Sequence, residues 1–261
     1  MQNGKMANLI KVWLETEHTL RTLDLCKFCI SDSIEHTVFY PEDEDIFPEI
    51  KKKKGTKVPK NVVVSNADTF TTAGKLSQQY KGKIAVLNFA NAYHPGGGVL
   101  IGASAQEEDL CRVSTLYPVL ASDINRKRFY EKHCMCKSAK GSSDILYSPE
   151  ILVFRFNDEQ YTYMTPDEFF CVDVITCAAP QLPRGFVEHA TEMEREQLYQ
   201  IHLERGRRII ESAVKNGAKI LVLGAFGCGA FQNDPCIVAK AYRELVISYA
   251  HCFERIEFAV Y

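Results

Sequence analysis

From residue 62 to residue 260 the chain alternates short apolar runs with stretches of helical periodicity, and this alternation restricts the possible folds more than any other feature. The runs at 62–65, 84–89, 151–154, 170–176, 219–223 and 256–260 have strand length and apolar composition. Between them, 72–79, 106–117, 188–216 and 235–250 have helical spacing. Asn216-Gly217 places a C-cap pair at the end of the long helix, and Pro235 places the residue best tolerated in a first helical turn at the start of the next. The expectation is an α/β fold with helices flanking a sheet. Ahead of it, Leu9, Ile10, Val12, Trp13, Leu20, Leu23 and Leu25 recur at near-helical spacing and predict an N-terminal helical region. Residues 40–60 pass from Glu42-Asp43-Glu44-Asp45 to the run Lys51 to Lys54, then Gly55 and Pro59, and read as a surface connector. The division is therefore 1–60, helical extension and connector, and 61–261, the main domain, the two forming one structural unit. No internal repeat or low-complexity tract interrupts it.

Charge and cysteine content exclude some classes of function. A formal net charge of -2 gives no overall cationic field, which disfavours a duplex nucleic-acid binder. The lysine run reads first as a solvated face and only second as a contact for a polyanion. No run approaches the roughly 18 apolar residues of a membrane helix, and no apolar signal core opens the chain, so a cytoplasmic location is expected. The 10 cysteines are scattered, several inside apolar runs, and read as reduced core thiols. Cys26-x-x-Cys29, and Cys134-x-Cys136 beside His133, have weak zinc-site spacing; burial of the thiols is the simpler reading, and no metal is expected.

Three loops follow predicted strands, and ligands of open α/β sheets bind where such loops converge. The first runs from Asn88 through Asn91 to Gly96-Gly97-Gly98-Val99, then on to Gln106-Glu107-Glu108 at the start of a helix. A glycine triplet permits positive φ and close approach of backbone N–H groups to an oxyanion, although alone it reads as a flexible loop. Acidic residues in a first helical turn are, alone, dipole complements. The second loop, Gly224-Ala225-Phe226-Gly227-Cys228-Gly229-Ala230-Phe231, leads into the helix begun by Pro235, a suitable place for a phosphate. It lacks the endings of a P-loop and of a dinucleotide-binding turn, which points to diphosphate binding without phosphoryl transfer. Phe226 and Phe231 fit either the core or an apolar platform for a sugar or base. In the third loop, Asp68 or Thr69 caps the following helix, or Asp68 accepts a hydrogen bond from a base amino group.

Together these residues resemble the bacterial-type poly(ADP-ribose) glycohydrolases, a branch of the macrodomain fold. The resemblance rests on the triplet Gly96 to Gly98, a seven-residue spacer and Gln106-Glu107-Glu108. It extends to Asp173 through Pro180 and to Val222 through Phe231. It implies a macrodomain-like mixed sheet flanked by helices, and a glycosidase that cleaves ribose–ribose O-glycosidic bonds, mainly from the chain terminus, to release ADP-ribose. It further implies Glu108 as the acid/base, Glu107 and Asn91 as holders of the ribose being cleaved, and Gly224 to Phe231 as the diphosphate loop with Phe231 on the distal ribose. Gly97, Gly98, Val99, Gln106 and Asp68 complete the expected substrate contacts. No cofactor is implied, and the partners would be poly(ADP-ribose) or ADP-ribosylated proteins. The alternatives are removal of single ADP-ribose units from proteins in the same pocket, and a non-catalytic ADP-ribose-binding module.

Elementary chemistry narrows the roles of the two glutamates. Neighbouring residues on a helix diverge by about 100°, so Glu107 and Glu108 cannot flank one bond as the paired carboxylates of ordinary glycosidases do. One carboxyl must serve both proton transfers. A helix N-terminus favours the ionised form while a general acid starts protonated, and the negative charge of a bound diphosphate works against that bias.

Overall fold

The computed structural model describes residues 2–47, 49–136 and 140–261. In chain order the elements are α1 (Gln2–Thr22), α2 (Asp24–His36), β1 (Val38–Tyr40), β2 (Val62–Ser65), α3 (Thr69–Gln79), β3 (Ile84–Ala90), α4 (Gln106–Val113) and α5 (Leu116–Leu120). There follow α6 (Asp123–Asn125), a π-helical stretch (Arg126–Glu131), α7 (Lys132–Cys136), β4 (Ile145–Val153) and β5 (Phe170–Ala178). The chain ends with α8 (Phe186–His189), α9 (Glu192–Lys215), β6 (Ile220–Gly224), α10 (Pro235–Tyr249) and β7 (Arg255–Ala259).

The seven strands form one mixed sheet in the order β1-β4-β5-β3-β6-β7-β2. Strands β5, β3, β6, β7 and β2 run parallel, while β4 is antiparallel to both β5 and β1. Helices cover both faces, as the alternation on β3 requires. Ile84 and Val86 join a core containing residues of α1 to α5, and Ala85 and Leu87 join one containing residues of α9 and α10. Parallel pairing puts the carboxyl ends of β3, β6, β7 and β2 along one edge of the sheet, so the loops that follow them meet there.

Most expected elements occur within two or three residues of their expected ends, and the departures have local causes. Strand β4 begins six residues before the expected 151, because Pro149 and Glu150 break the apolar pattern; the register shifts between Ser148 and Ile151, and Glu150 has φ 54°. The helix expected over 106–117 is interrupted, since Ser114 bridges to Val153, the Thr115 amide donates to Leu152 O (2.9 Å), and Thr115 Oγ1 accepts from the Leu152 amide (3.0 Å). The long helix starts at Glu192, where Thr191 and Glu194 form a capping box. Strand β1 and the helical stretch from 123 to 136 were not anticipated from the sequence. Tyr40, expected to open the connector, instead ends a strand paired with β4.

The N-terminal region divides into α1 and α2 at Leu23. Helix α1 packs into the core of the main domain. Trp13 is 3% exposed and meets Tyr117 edge-on at 4.8 Å. Thr16 Oγ1 donates to Arg112 O (2.6 Å) and accepts from Arg155 Nη1 (2.9 Å), and the same guanidinium reaches Val12 O (3.2 Å) and Glu15 Oε2 (2.9 Å). Arg112 belongs to α4, so α1 braces the helix that opens with the two glutamates. Truncating a buried tryptophan costs about 3–5 kcal/mol, so Trp13→Ala should lower stability by that order in urea unfolding followed by far-UV circular dichroism. A loss below about 1 kcal/mol would mean that α1 is a loosely docked tail.

Candidate active site

Helix α4 begins at Gln106 without a side-chain cap at Ala105, and its first three residues engage the end of β3 and the glycine loop. Gln106 Oε1 accepts from the Phe89 amide (2.9 Å), while Nε2 donates to Leu87 O (2.7 Å) and Thr69 Oγ1 (3.1 Å). Gln106 thereby ties the starts of α3 and α4 to the end of β3. Glu107, 3% exposed, accepts from the Asn91 amide on Oε2 (2.7 Å) and from Asn88 Nδ2 on Oε1 (3.3 Å). Glu108 Oε1 accepts from the Gly98 amide (2.8 Å). Its Oε2 has no hydrogen-bond partner among the described residues.

The glycine triplet makes room for both carboxylates. Gly96 and Gly97 have φ of 65° and 57°, in the left-handed region, and a Cβ on Gly97 would strike Glu108 Oε1 and lie 3.3 Å from Glu107 Oε2. Any side chain at 97 would therefore be doubly opposed, by backbone strain and by the glutamates.

Opposite them, the loop after β6 turns at Gly227, with φ 76°. The amides of Phe226, Cys228, Gln232 and Asn233 donate within the loop, to Gly224, Ala225, Gly229 and Gly227 carbonyls. Those of Gly227, Gly229, Ala230 and Phe231 have no acceptor among the described residues. The same four residues line a cavity of about 690 Å³ shared with Glu107 and Glu108. A row of free N–H groups ahead of a helix start is a concavity for a phosphate or diphosphate. Ala67, Asp68, Asn91, Asn157 and Tyr261 also line it.

Residues 16–156 match the family model described as microbial-type PARG, catalytic domain. That match takes in more than half of the chain. The chain belongs to the microbial-type poly(ADP-ribose) glycohydrolase family. Among solved structures, it is similar to the Thermomonospora curvata poly(ADP-ribose) glycohydrolase bound to the inhibitor ADP-HPD, with TM-score 0.81 and 27% identity over 97% of this chain and 92% of that one. It is also similar to the Deinococcus radiodurans poly(ADP-ribose) glycohydrolase in complex with ADP-ribose, with TM-score 0.74 and 32% identity over 88% and 90%. No curated protein matches by sequence. The poly(ADP-ribose) glycohydrolase family is one of glycosidases, and the mixed sheet flanked by helices is macrodomain-like.

In this glycohydrolase the structure brings most of the expected site residues to one cavity. Asp68, Asn91, Gln106, Glu107, Glu108, Ala225, Gly227, Gly229, Ala230 and Phe231 line it. Gly97 and Gly98 lie against the Glu108 carboxylate, while Val99 is fully buried in the core, and Gly224 and Cys228 do not line the cavity. Gln106 reaches the cavity wall, but its amide is committed to the protein and serves as a strut. Phe226 is core, fully buried and edge-on to Phe89 at 5.7 Å, so it provides no platform; the half-buried Phe231 can. Asp68 caps α3 through Oδ1, accepting from Phe70 and Thr71 amides (3.1 and 3.0 Å), which leaves Oδ2 for a ligand. Asn91 Oδ1 accepts from the Tyr93 and His94 amides (2.8 and 3.0 Å), so its contribution to a ligand is the Nδ2 group. Sequence reasoning missed Asn157, which follows β4 in a stretch with no motif. Cys26 and Cys29 are buried on α2 and Cys134 is exposed, while the Cys136 side chain lies outside the described residues. Among the described residues no cluster of three or more His, Cys, Asp or Glu could hold a metal, and no helix is long and apolar enough to cross a membrane.

Burial pushes the Glu107 carboxyl up to about 8, the Glu108 charge adding to the rise while the Asn91 amide and Asn88 oppose it. A carboxyl so raised favours its protonated form at neutral pH. Asn88 Oδ1, buried and unpaired, becomes its acceptor if the Asn88 amide is turned over, a choice that the hydrogen-bond network decides. A folded-state value raised above the unfolded one gives stability that is full at low pH and declines as pH rises, here from about 4.5 through about 8. Glu107→Gln, neutral throughout, escapes that loss. Melting temperatures of the two proteins should therefore diverge in favour of the variant between pH 5 and pH 9. Parallel curves would show that Glu107 is ionised in the folded protein.

Proposed function

We propose that this glycohydrolase cleaves the ribose–ribose O-glycosidic bonds of poly(ADP-ribose) from the chain terminus and releases ADP-ribose, with Glu108 as its acid/base. The observation that carries this reading is the pairing, in one cavity, of a carboxylate with one uncommitted oxygen and four backbone amides that lack acceptors. The terminal diphosphate takes the amides of Gly227 and Gly229 to Phe231, next to the start of α10. The adenine lies toward Asp68 Oδ2 and Asn157, both of which can read an exocyclic amino group. Phe231 supports the distal ribose, and Asn91 Nδ2 and Glu107 hold its hydroxyls.

The proton path balances on one residue. Glu108 gives its proton to the leaving ribose oxygen as the C1–O bond breaks and an oxocarbenium-like ribose forms. Water then adds to C1, its oxygen pair forming the new bond, and Glu108 takes back a proton. Glu107 takes the holding role and not the proton transfer, each of its oxygens already accepting one hydrogen bond from the end of β3. The neighbouring diphosphate charge favours the cation.

Purified polymer and mono-ADP-ribosylated protein, incubated in parallel with wild type and Glu108→Gln, test the proposal. Wild type should release ADP-ribose from polymer, and the variant should lose about 10²–10⁴-fold in turnover while still binding ADP-ribose in calorimetry. Undiminished hydrolysis by Glu108→Gln would remove Glu108 from the chemistry. Release from mono-ADP-ribosylated protein alone would make single units the substrate, and binding without any product would make the protein a reader of ADP-ribose.

A further inference from the structure

The four open amides exist only because the remaining groups of the loop are held elsewhere, and one buried side chain does most of that holding. Asn233, 1% exposed, directs Nδ2 at three carbonyls: Pro180 O (2.7 Å), Gly227 O (3.0 Å) and Phe231 O (3.3 Å). Its own amide donates to Gly227 O as well (3.1 Å). One residue therefore gathers the loop's first glycine turn, its last aromatic and the segment that follows β5. Gly227 is shaped for this contact, since a Cβ there would sit 2.5 Å from Asn233 Nδ2 and 2.7 Å from Ala179 Cβ.

The orientation of the Asn233 amide is set from behind. Three carbonyls on one side accept hydrogen bonds only from an NH2 group, which turns Oδ1 toward His202 Nε2 at 2.9 Å. Oδ1 is an acceptor, so His202 Nε2 carries the hydrogen. The imidazole is fully buried on α9 and edge-on to Phe226 at 5.9 Å, and its Nδ1 has no partner among the described residues, as befits the neutral Nε2–H form. Burial, with the charge of Arg205 adding, holds its pKa down at about 4, so it stays neutral over the working range.

We infer that Asn233, oriented by His202, is a positioning residue for diphosphate recognition: it fixes the backbone of the loop with the amides of Gly227, Gly229, Ala230 and Phe231 open to the ligand. Neither side chain lines the cavity. The inference rests on the diphosphate reading of the loop. Its physical basis is preorganisation, because amides already free of loop hydrogen bonds bind an anion without first breaking such bonds or ordering the chain.

Asn233→Asp keeps the size and the acceptor for His202 but replaces the donor with oxygen facing three carbonyls. It should raise the Kd for ADP-ribose and the KM for polymer by about tenfold or more, with a much smaller change in kcat, since the contact serves ground and transition states alike. Affinity for adenosine, which has no diphosphate, should stay within about twofold of wild type. His202→Leu should show the same split, and His202→Gln, whose side chain supplies an N–H donor, should recover most of it. The histidine pair decides the matter should Asn233→Asp fail to fold. Wild-type ADP-ribose affinity in folded Asn233→Asp or His202→Leu, equal losses for adenosine and ADP-ribose, or a fall in kcat at constant KM would overturn the assignment. A wild-type protein that binds adenosine and ADP-ribose equally would instead sink the diphosphate reading itself.

Discussion

Glu107 sits in the protein interior at the junction of a helix start, a strand end and a glycine turn, and the conditions for keeping it there organise everything around it. A buried carboxyl needs donors, and the nearest are the Asn91 amide and Asn88 Nδ2 at the end of β3. Those bonds fix the rotation of α4 about its axis. Once that rotation is fixed, the next residue must leave the helix about 100° away, toward the glycine loop and the Gly98 amide. The catalytic candidate is thus aimed by its buried neighbour. Gly97 follows from the same constraint, because only a residue without Cβ leaves space for both carboxylates. Arg112, whose carbonyl accepts from Thr16 of α1, holds the far end of the short helix, bonding Asp109 (2.8 Å) and the Ala103 carbonyl.

The two walls of the cavity follow one design. Each is a loop after a parallel strand, and each is shaped by an amide side chain whose own polar atoms bond protein groups. Gln106 does this for the wall carrying the glutamates, fastening α3, β3 and α4 together. Asn233 does it for the wall carrying the open amides. Side chains that are fully satisfied by protein lose little when a ligand arrives, so the groups left free are the ones available for binding.

Much of this was legible in the sequence where the signal was local. The apolar runs of β2, β3, β5, β6 and β7 located the parallel part of the sheet, and Gln106-Glu107-Glu108 located one wall of the cavity. Parts that depend on long-range packing were not legible. Tyr40 gave no sign of pairing with β4, since a three-residue edge strand carries too few positions for a period. Pro149 and Glu150 hid the first half of β4 by breaking its alternation at a bulge. Phe226 and Phe231, alike in sequence, part company only because one faces Phe89 and His202 while the other faces the cavity. The motif that marks Gln106 does not say that its amide also bonds the scaffold, at Phe89, Leu87 and Thr69. Asn157 lies more than 40 positions from the glutamates, and nothing near it in the chain suggests a cavity.

The electrostatics of the cavity favour an unequal pair of glutamates. Two adjacent ionised carboxylates would repel an incoming diphosphate. Burial favours the protonated form of Glu107, so the pair does not meet a ligand as two like charges. The four open amides of the opposite wall would offset the charge of a diphosphate. A diphosphate bound there would raise the hold of Glu107 on a proton further, so the ligand would reinforce the neutral form. On the proposed reading, binding and catalysis are divided between neighbours: the buried glutamate keeps the cavity acceptable to an anion, and Glu108 keeps one oxygen open for the glycosidic bond.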